Sequence, residues 1–145
     1  MKINPMIKKI LPVIAFLMIL ISSCGPTRRS ISIEEGWDLI GERKVNFVVD
    51  KDIIDVHSTS KFTAIRFKVE GKDVRINELK IHLQNGDKLE PSLDDVIAAD
   101  QYSKEILLTE DGKFVNRIEF RYRTTGNVLQ GRANVLVFGK RHKGN

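Results

Sequence analysis

The chain has 145 residues, with 24 basic side chains, 19 acidic ones and a single cysteine. One cysteine excludes a disulfide within the chain, so stability rests on a hydrophobic core, which a domain of about 100 residues can supply. The formal charge of +5 hints at nucleic acid, but Lys2, Lys8 and Lys9 lie in a leader, and 24 less three leaves 21 against 19, a balance of +2 that removes most of the hint.

Met1 to Lys9 is basic and free of acid. Ile10 to Ile21 is apolar, and Ser22, Ser23 and Cys24 follow. A basic start, a short apolar stretch and small residues before a cut form the layout of a secretory signal. About a dozen apolar residues is too few for a membrane-spanning helix, which needs roughly 20, and Pro12 near their start argues the same way. Ile21-Ser22-Ser23-Cys24 resembles the lipobox of bacterial lipoproteins, with Ile in the place usually held by Leu. The resemblance implies cleavage before Cys24, a diacylglycerol on its thiol and further acylation of the new amine. Two or three chains give lasting attachment, which one does not. The alternatives are a secreted protein with a free thiol and an uncleaved anchor. The expected location is the bacterial cell envelope, with the chain held by membrane lipid through Cys24 and exposed outside the cytoplasm, in the periplasm or at the surface. No nucleic-acid partner is expected.

The domain layout follows: signal 1–23, lipidated cysteine and tether 24–36, folded domain 37–141, tail 142–145. The tether "GPTRRSISIEE" shows no periodicity. Its Arg28 and Arg29 either touch acidic headgroups or are simply solvated.

Beyond Trp37 the pattern has period two. Val45, Phe47 and Val49 share one side. Ile65, Phe67 and Val69 alternate with Arg66, Lys68 and Glu70; Leu79, Ile81 and Leu83 with Lys80 and His82; Ile118, Phe120 and Tyr122 with Glu119, Arg121 and Arg123. Such alternation of β-branched and aromatic residues with polar ones predicts half-buried strands. Val135 to Phe138 is apolar on both phases and predicts a strand covered on both faces. Val74 and Ile76 lie on one phase and Leu79, Ile81 and Leu83 on the other, which predicts a bulge near Asn77-Glu78. Pro91 to Ser103 reads as a loop with a short strand or one helical turn. Gly71-Lys72-Asp73, Asn85-Gly86-Asp87 and Thr125-Gly126-Asn127 punctuate the strands, and Glu110 to Lys113 reads as a hairpin loop. The whole predicts an all-β fold, a single antiparallel β-sandwich of jelly-roll or immunoglobulin-like size with about seven or eight strands. The spacing of Trp37 to Gly41, Asn85-Gly86, Arg117 to Phe120 and Gly131 to Ala133 resembles a group of small exported bacterial β-sandwich proteins known as a domain of unknown function. That resemblance implies the fold and no activity.

No catalytic pattern stands out. His57, His82 and His142 share no helical spacing and no HExxH run, and there is no Gly-x-Ser-x-Gly elbow. Asp50, Asp52 and Asp55 form the one dense acidic cluster, where calcium is the candidate ion. An EF-hand register fails, because it puts Ile54 at the fifth place, Asp55 at the glycine and Lys61 at the twelfth; capping of a turn is the plainer role. Arg66, Lys68, Lys80, Arg117, Arg121 and Arg123 all fall on outward phases. On neighbouring strands they would make one cationic stripe for an anionic partner, and otherwise they pair with Glu70 and Glu119 as ordinary sheet dressing. Trp37 and Tyr102 are the loose aromatics a glycan would favour, although Trp37 beside Leu39 fits better as a plug at one end of the sandwich. The tail "KRHKGN" reads as a frayed end. The leading expectation is a non-enzymatic envelope module that contacts another envelope protein or a surface polymer. The alternatives are a calcium-dependent, small-ligand or glycan binder, and a hydrolase assembled from distant residues.

Overall fold

A computed structural model describes residues 31–45, 51–124 and 132–144. Ile33–Asn145 forms one compact unit. Cys24, Phe47, Val49, Asp50 and the loop at Thr125-Gly126-Asn127 lie outside the described residues.

Among the described residues nine strands follow one another: β1 (Trp37–Val45), β2 (Lys51–Asp55), β3 (Phe62–Glu70), β4 (Val74–Leu83), β5 (Lys88–Leu89), β6 (Asp95–Ile97), β7 (Ile106–Leu107), β8 (Val115–Thr124) and β9 (Ala133–Arg141). They form two antiparallel sheets, β1-β9-β3-β7 and β2-β8-β4-β5, with β6 also on β4. The all-β sandwich is as expected. Its strand number is higher than seven or eight because β5, β6 and β7 are edge pieces of only two or three residues.

The inward phases make the core. Ile65, Phe67 and Val69 of the first sheet meet Ile76, Leu79, Ile81, Ile118 and Phe120 of the second, each at most 2% exposed. The rings of Phe67 and Phe120 lie 6.1 Å apart across the sheets. β9 is central in its sheet, and Val135, Leu136, Val137 and Phe138 are all fully buried, as their double apolar phase predicts. The register of β4 against β8 shifts between Ile76 and Glu78, and this bulge returns both apolar sets to one side. Asn85-Gly86 turns β4 into β5: Gly86 has φ 93°, the Leu83 N–H donates to the Asp87 carbonyl at 2.8 Å, and the Asp87 N–H donates to Asn85 Oδ1 at 3.0 Å. Pro91 to Ser103 contains the short β6 and no helix.

Three expectations change. The first strand starts at Trp37, because residues from Trp37 to Val45 pair with β9. Trp37 therefore sits on a strand and does not plug the end of the sandwich. Glu110 to Lys113 is not a hairpin loop, because β7 and β8 belong to different sheets; the segment arches between layers, with Gly112 at φ 70°. Nor is the tail frayed at its start, where the His142 N–H donates to the Lys61 carbonyl at 2.9 Å.

Candidate functional site

The outer face of the second sheet carries most of the predicted cations. Outward residues of the long strands β4 and β8 alternate in charge, and the register lines them up in rows. Arg117 stands opposite His82 and Asp55, Glu119 opposite Lys80 and Ile53, Arg121 opposite Glu78 and Lys51, and Arg123 opposite Arg75. In the middle rows the charges compensate. Glu119 lies 2.8 Å from Lys51 and 2.9 Å from His82, and Arg121 lies 3.4 Å from Glu78. Lys51 holds the Glu119 carboxyl below the usual carboxylate range, chiefly by hydrogen bonding. At the sheet edge Lys88, 2.6 Å from Glu90, lowers that carboxyl and is itself raised by it. These shifts come from charge partners at a surface. The hollow among Lys51, Glu78, Lys80 and Glu119 measures about 60 Å³, room for little more than water.

The end row is different. Arg75 and Arg123 face each other directly on adjacent strands, both exposed. Like charges so placed destabilise a sheet, by about 0.2–1 kcal/mol. Arg75 leans on Asp94 at 3.0 Å, and among the described residues Arg123 and Arg117 take no ion pair. Beside them Val96 is 44% exposed.

Arg66 and Lys68 do not join this face, which corrects the single stripe. They lie on β3, whose neighbours are β9 and β7 in the other sheet. There the Arg66 guanidinium is stacked between Trp37, at 4.1 Å, and Tyr102, at 4.2 Å, and its Nη2 donates to Glu34 at 2.8 Å. Phe138 meets the Tyr102 ring edge-on at 5.6 Å. Tyr102 is delivered by a bridge to Lys68, held by hydrogen bonds from Val69 N–H to the Gln101 carbonyl and from Ser103 N–H to the Phe67 carbonyl. The Arg66 side chain is only 11% exposed. The arrangement clasps the incoming chain to the sheet, and it closes Trp37, 4% exposed, to a sugar ring.

Of the acidic cluster, Asp50 lies outside the described residues, and Asp52 and Asp55 are not brought together. Asp52 pairs with Phe120 on the inward phase, and Asp55 points outward opposite Arg117. Asp52 bridges the two sheets instead: Tyr122 Oη donates to one carboxylate oxygen at 2.8 Å and Arg43 Nε to the other at 2.9 Å. Among the described residues no three His, Cys, Asp or Glu side chains are grouped to hold a metal ion.

Sequence reasoning missed Arg75 and Lys51. The outward phase of Arg75 is readable only once the bulge after Ile76 is placed, and Lys51 is masked by the acids around it.

A family model described as a domain of unknown function (DUF2541) matches residues 13–139. No curated protein sequence matches the chain. Among solved structures, the chain is similar to part of one from the structural and functional characterization of Pseudomonas aeruginosa AlgX. The identity is 13% over 71% of this chain and 26% of that one, with a TM-score of 0.47.

Proposed function

From the premise that this chain belongs to the DUF2541 family, we propose that it is a lipid-anchored cell-envelope module that binds an anionic partner, a surface polymer or an acidic envelope protein, through the outer face of its second sheet. Acylated Cys24 holds it to the membrane, and the sandwich performs no chemistry of its own. One observation carries the binding face: Lys80, Arg117, Arg121 and Arg123 share an open sheet face, and at its end Arg123 and Arg75 oppose each other at an energetic cost an anion would offset.

The test is in-cell photocrosslinking of the full-length protein with the probe at Val96 or Ile53, both exposed on the second sheet, or at Leu107 on the other sheet, followed by mass spectrometry. The expected result is one abundant envelope partner from positions 96 and 53, absent at 107 and lost in Arg75→Glu/Arg123→Glu. Equal capture from both sheets would refute the face. Radiolabelled palmitate incorporated by the wild type and not by Cys24→Ala checks the anchor.

A further inference from the structure

We propose that a second, separate site, the cleft at the end of the sandwich where the chain enters the domain, binds a phosphate group. The cleft has a volume of about 860 Å³ and is lined chiefly by Lys140, Arg141, His142 and Lys143, with Glu35 and Glu110 as its acids. That volume suits a small ligand.

The fold builds this concavity from four segments joined by backbone hydrogen bonds. The Arg141 N–H donates to the Gly36 carbonyl at 2.9 Å, and the His142 N–H to the Lys61 carbonyl at 2.9 Å. Phe62 and Lys113 exchange a pair of bonds at 2.9 and 2.8 Å. β9 is apolar from Val135 to Phe138. Gly139 lies under the Phe62 ring, and from Lys140 onward the strand has left the core, so residues of both phases turn into the cleft. The tail is thereby fixed as a wall.

Its cations are available. Arg141 is 3.3 Å from Asp38 and Lys140 is 3.4 Å from Glu105, and each of these pairs is open to water. Exposed pairs of this kind are worth little and are readily exchanged. Among the described residues Lys143 and His142 take no ion pair. A guanidinium fork beside two ammonium groups suits the tetrahedral array of a phosphate, with two free oxygens in a diester and three in a monoester, better than it suits a single planar carboxylate. Two sources share this chemistry: a phospholipid headgroup and a soluble phosphate ester. The cleft adjoins Glu35 and Gly36, the last residues of the tether, so the lipid source rests on the anchoring proposed above. The phosphate site itself does not.

The chain has one tryptophan, and Lys140 Nζ lies 5.6 Å from its ring, so Trp37 emission reports the cleft. Full-length protein in phosphatidylcholine nanodiscs is titrated with glycerol 3-phosphate. The expected result is saturable binding, weakened roughly tenfold in Lys140→Gln/Lys143→Gln by loss of charge-assisted hydrogen bonds and strengthened in Glu110→Gln. Nanodiscs containing phosphatidylglycerol distinguish the sources. Weaker apparent binding of the soluble ester there identifies the lipid headgroup; unchanged binding identifies a soluble phosphate ester. The proposal is overturned if binding does not saturate, if it survives the double substitution, or if Arg123→Glu on the sheet face abolishes it. Glycerol phosphate binding does not require Cys24, so an unacylated chain would refute the anchor and leave this arm intact.

Discussion

Replacing Arg66 by alanine removes the clasp between the incoming chain and the first sheet. The guanidinium stacks on two rings, at 4.1 Å from Trp37 and 4.2 Å from Tyr102, with 11% of the side chain exposed. Each stack is worth between about 0.5 kcal/mol at an exposed site and about 2 when desolvated, and near-complete burial places these toward the middle of that range. The ion pair to Glu34 adds little, because the carboxylate is 64% exposed and screened. Arg66 Nε is buried with no hydrogen-bond partner, which offsets part of the gain. The expected loss is about 2 kcal/mol in urea unfolding followed by Trp37 emission. Arg66→Lys keeps the charge without the planar fork and loses about half of that or more. Glu34→Gln loses under about 0.5 kcal/mol. If Arg66→Ala unfolds within about 0.5 kcal/mol of wild type, or Glu34→Gln costs as much as Arg66→Ala, stacking does not hold the clasp and the reasoning fails.

Other outcomes follow from the same geometry. Gly139→Ala would place a methyl group 2.5 Å from the fully buried Phe62 ring; overpacking of about 1–3 kcal/mol is expected by thermal unfolding, and a neutral result would mean that Phe62 repacks freely. Tyr122→Phe removes the hydrogen bond to Asp52 and costs about 1 kcal/mol in urea unfolding. Asp52 and Asp55 point to opposite faces, so millimolar calcium and chelator are expected to leave the unfolding temperature unchanged; a calcium-dependent rise would revive a metal site there. The Glu119 carboxyl is lowered below 4.5, first by its hydrogen bond from Lys51, so its contribution is complete above the unfolded value and is lost as pH falls through the folded one. Unfolding temperatures between pH 3 and 7 are expected to fall less steeply on the acid side in Glu119→Gln than in wild type, and parallel curves would contradict the pairing.

Much of this architecture was legible along the chain because a strand exposes alternate residues to alternate sides. Period two marked β3, β4 and β8, the double apolar phase of Val135 to Phe138 marked β9 as a strand covered on both faces, and the phase slip after Ile76 marked the bulge. These are local consequences of backbone geometry and apolar burial, readable within ten residues. Which strands are neighbours is decided by contacts between residues far apart in sequence, and alternation carries no record of that choice. Arg66 and Arg121 look alike as outward cations, yet the fold stacks one between two rings and sets the other in a charged lattice. Asp52 and Asp55 look like one cluster until pairing with β8 turns them to opposite faces. The tail reads as solvated charge, and becomes the wall of a cleft because Lys61 and Gly36, remote in sequence, supply the carbonyls that hold it. Phase is a property of the strand, and partners are a property of the sandwich.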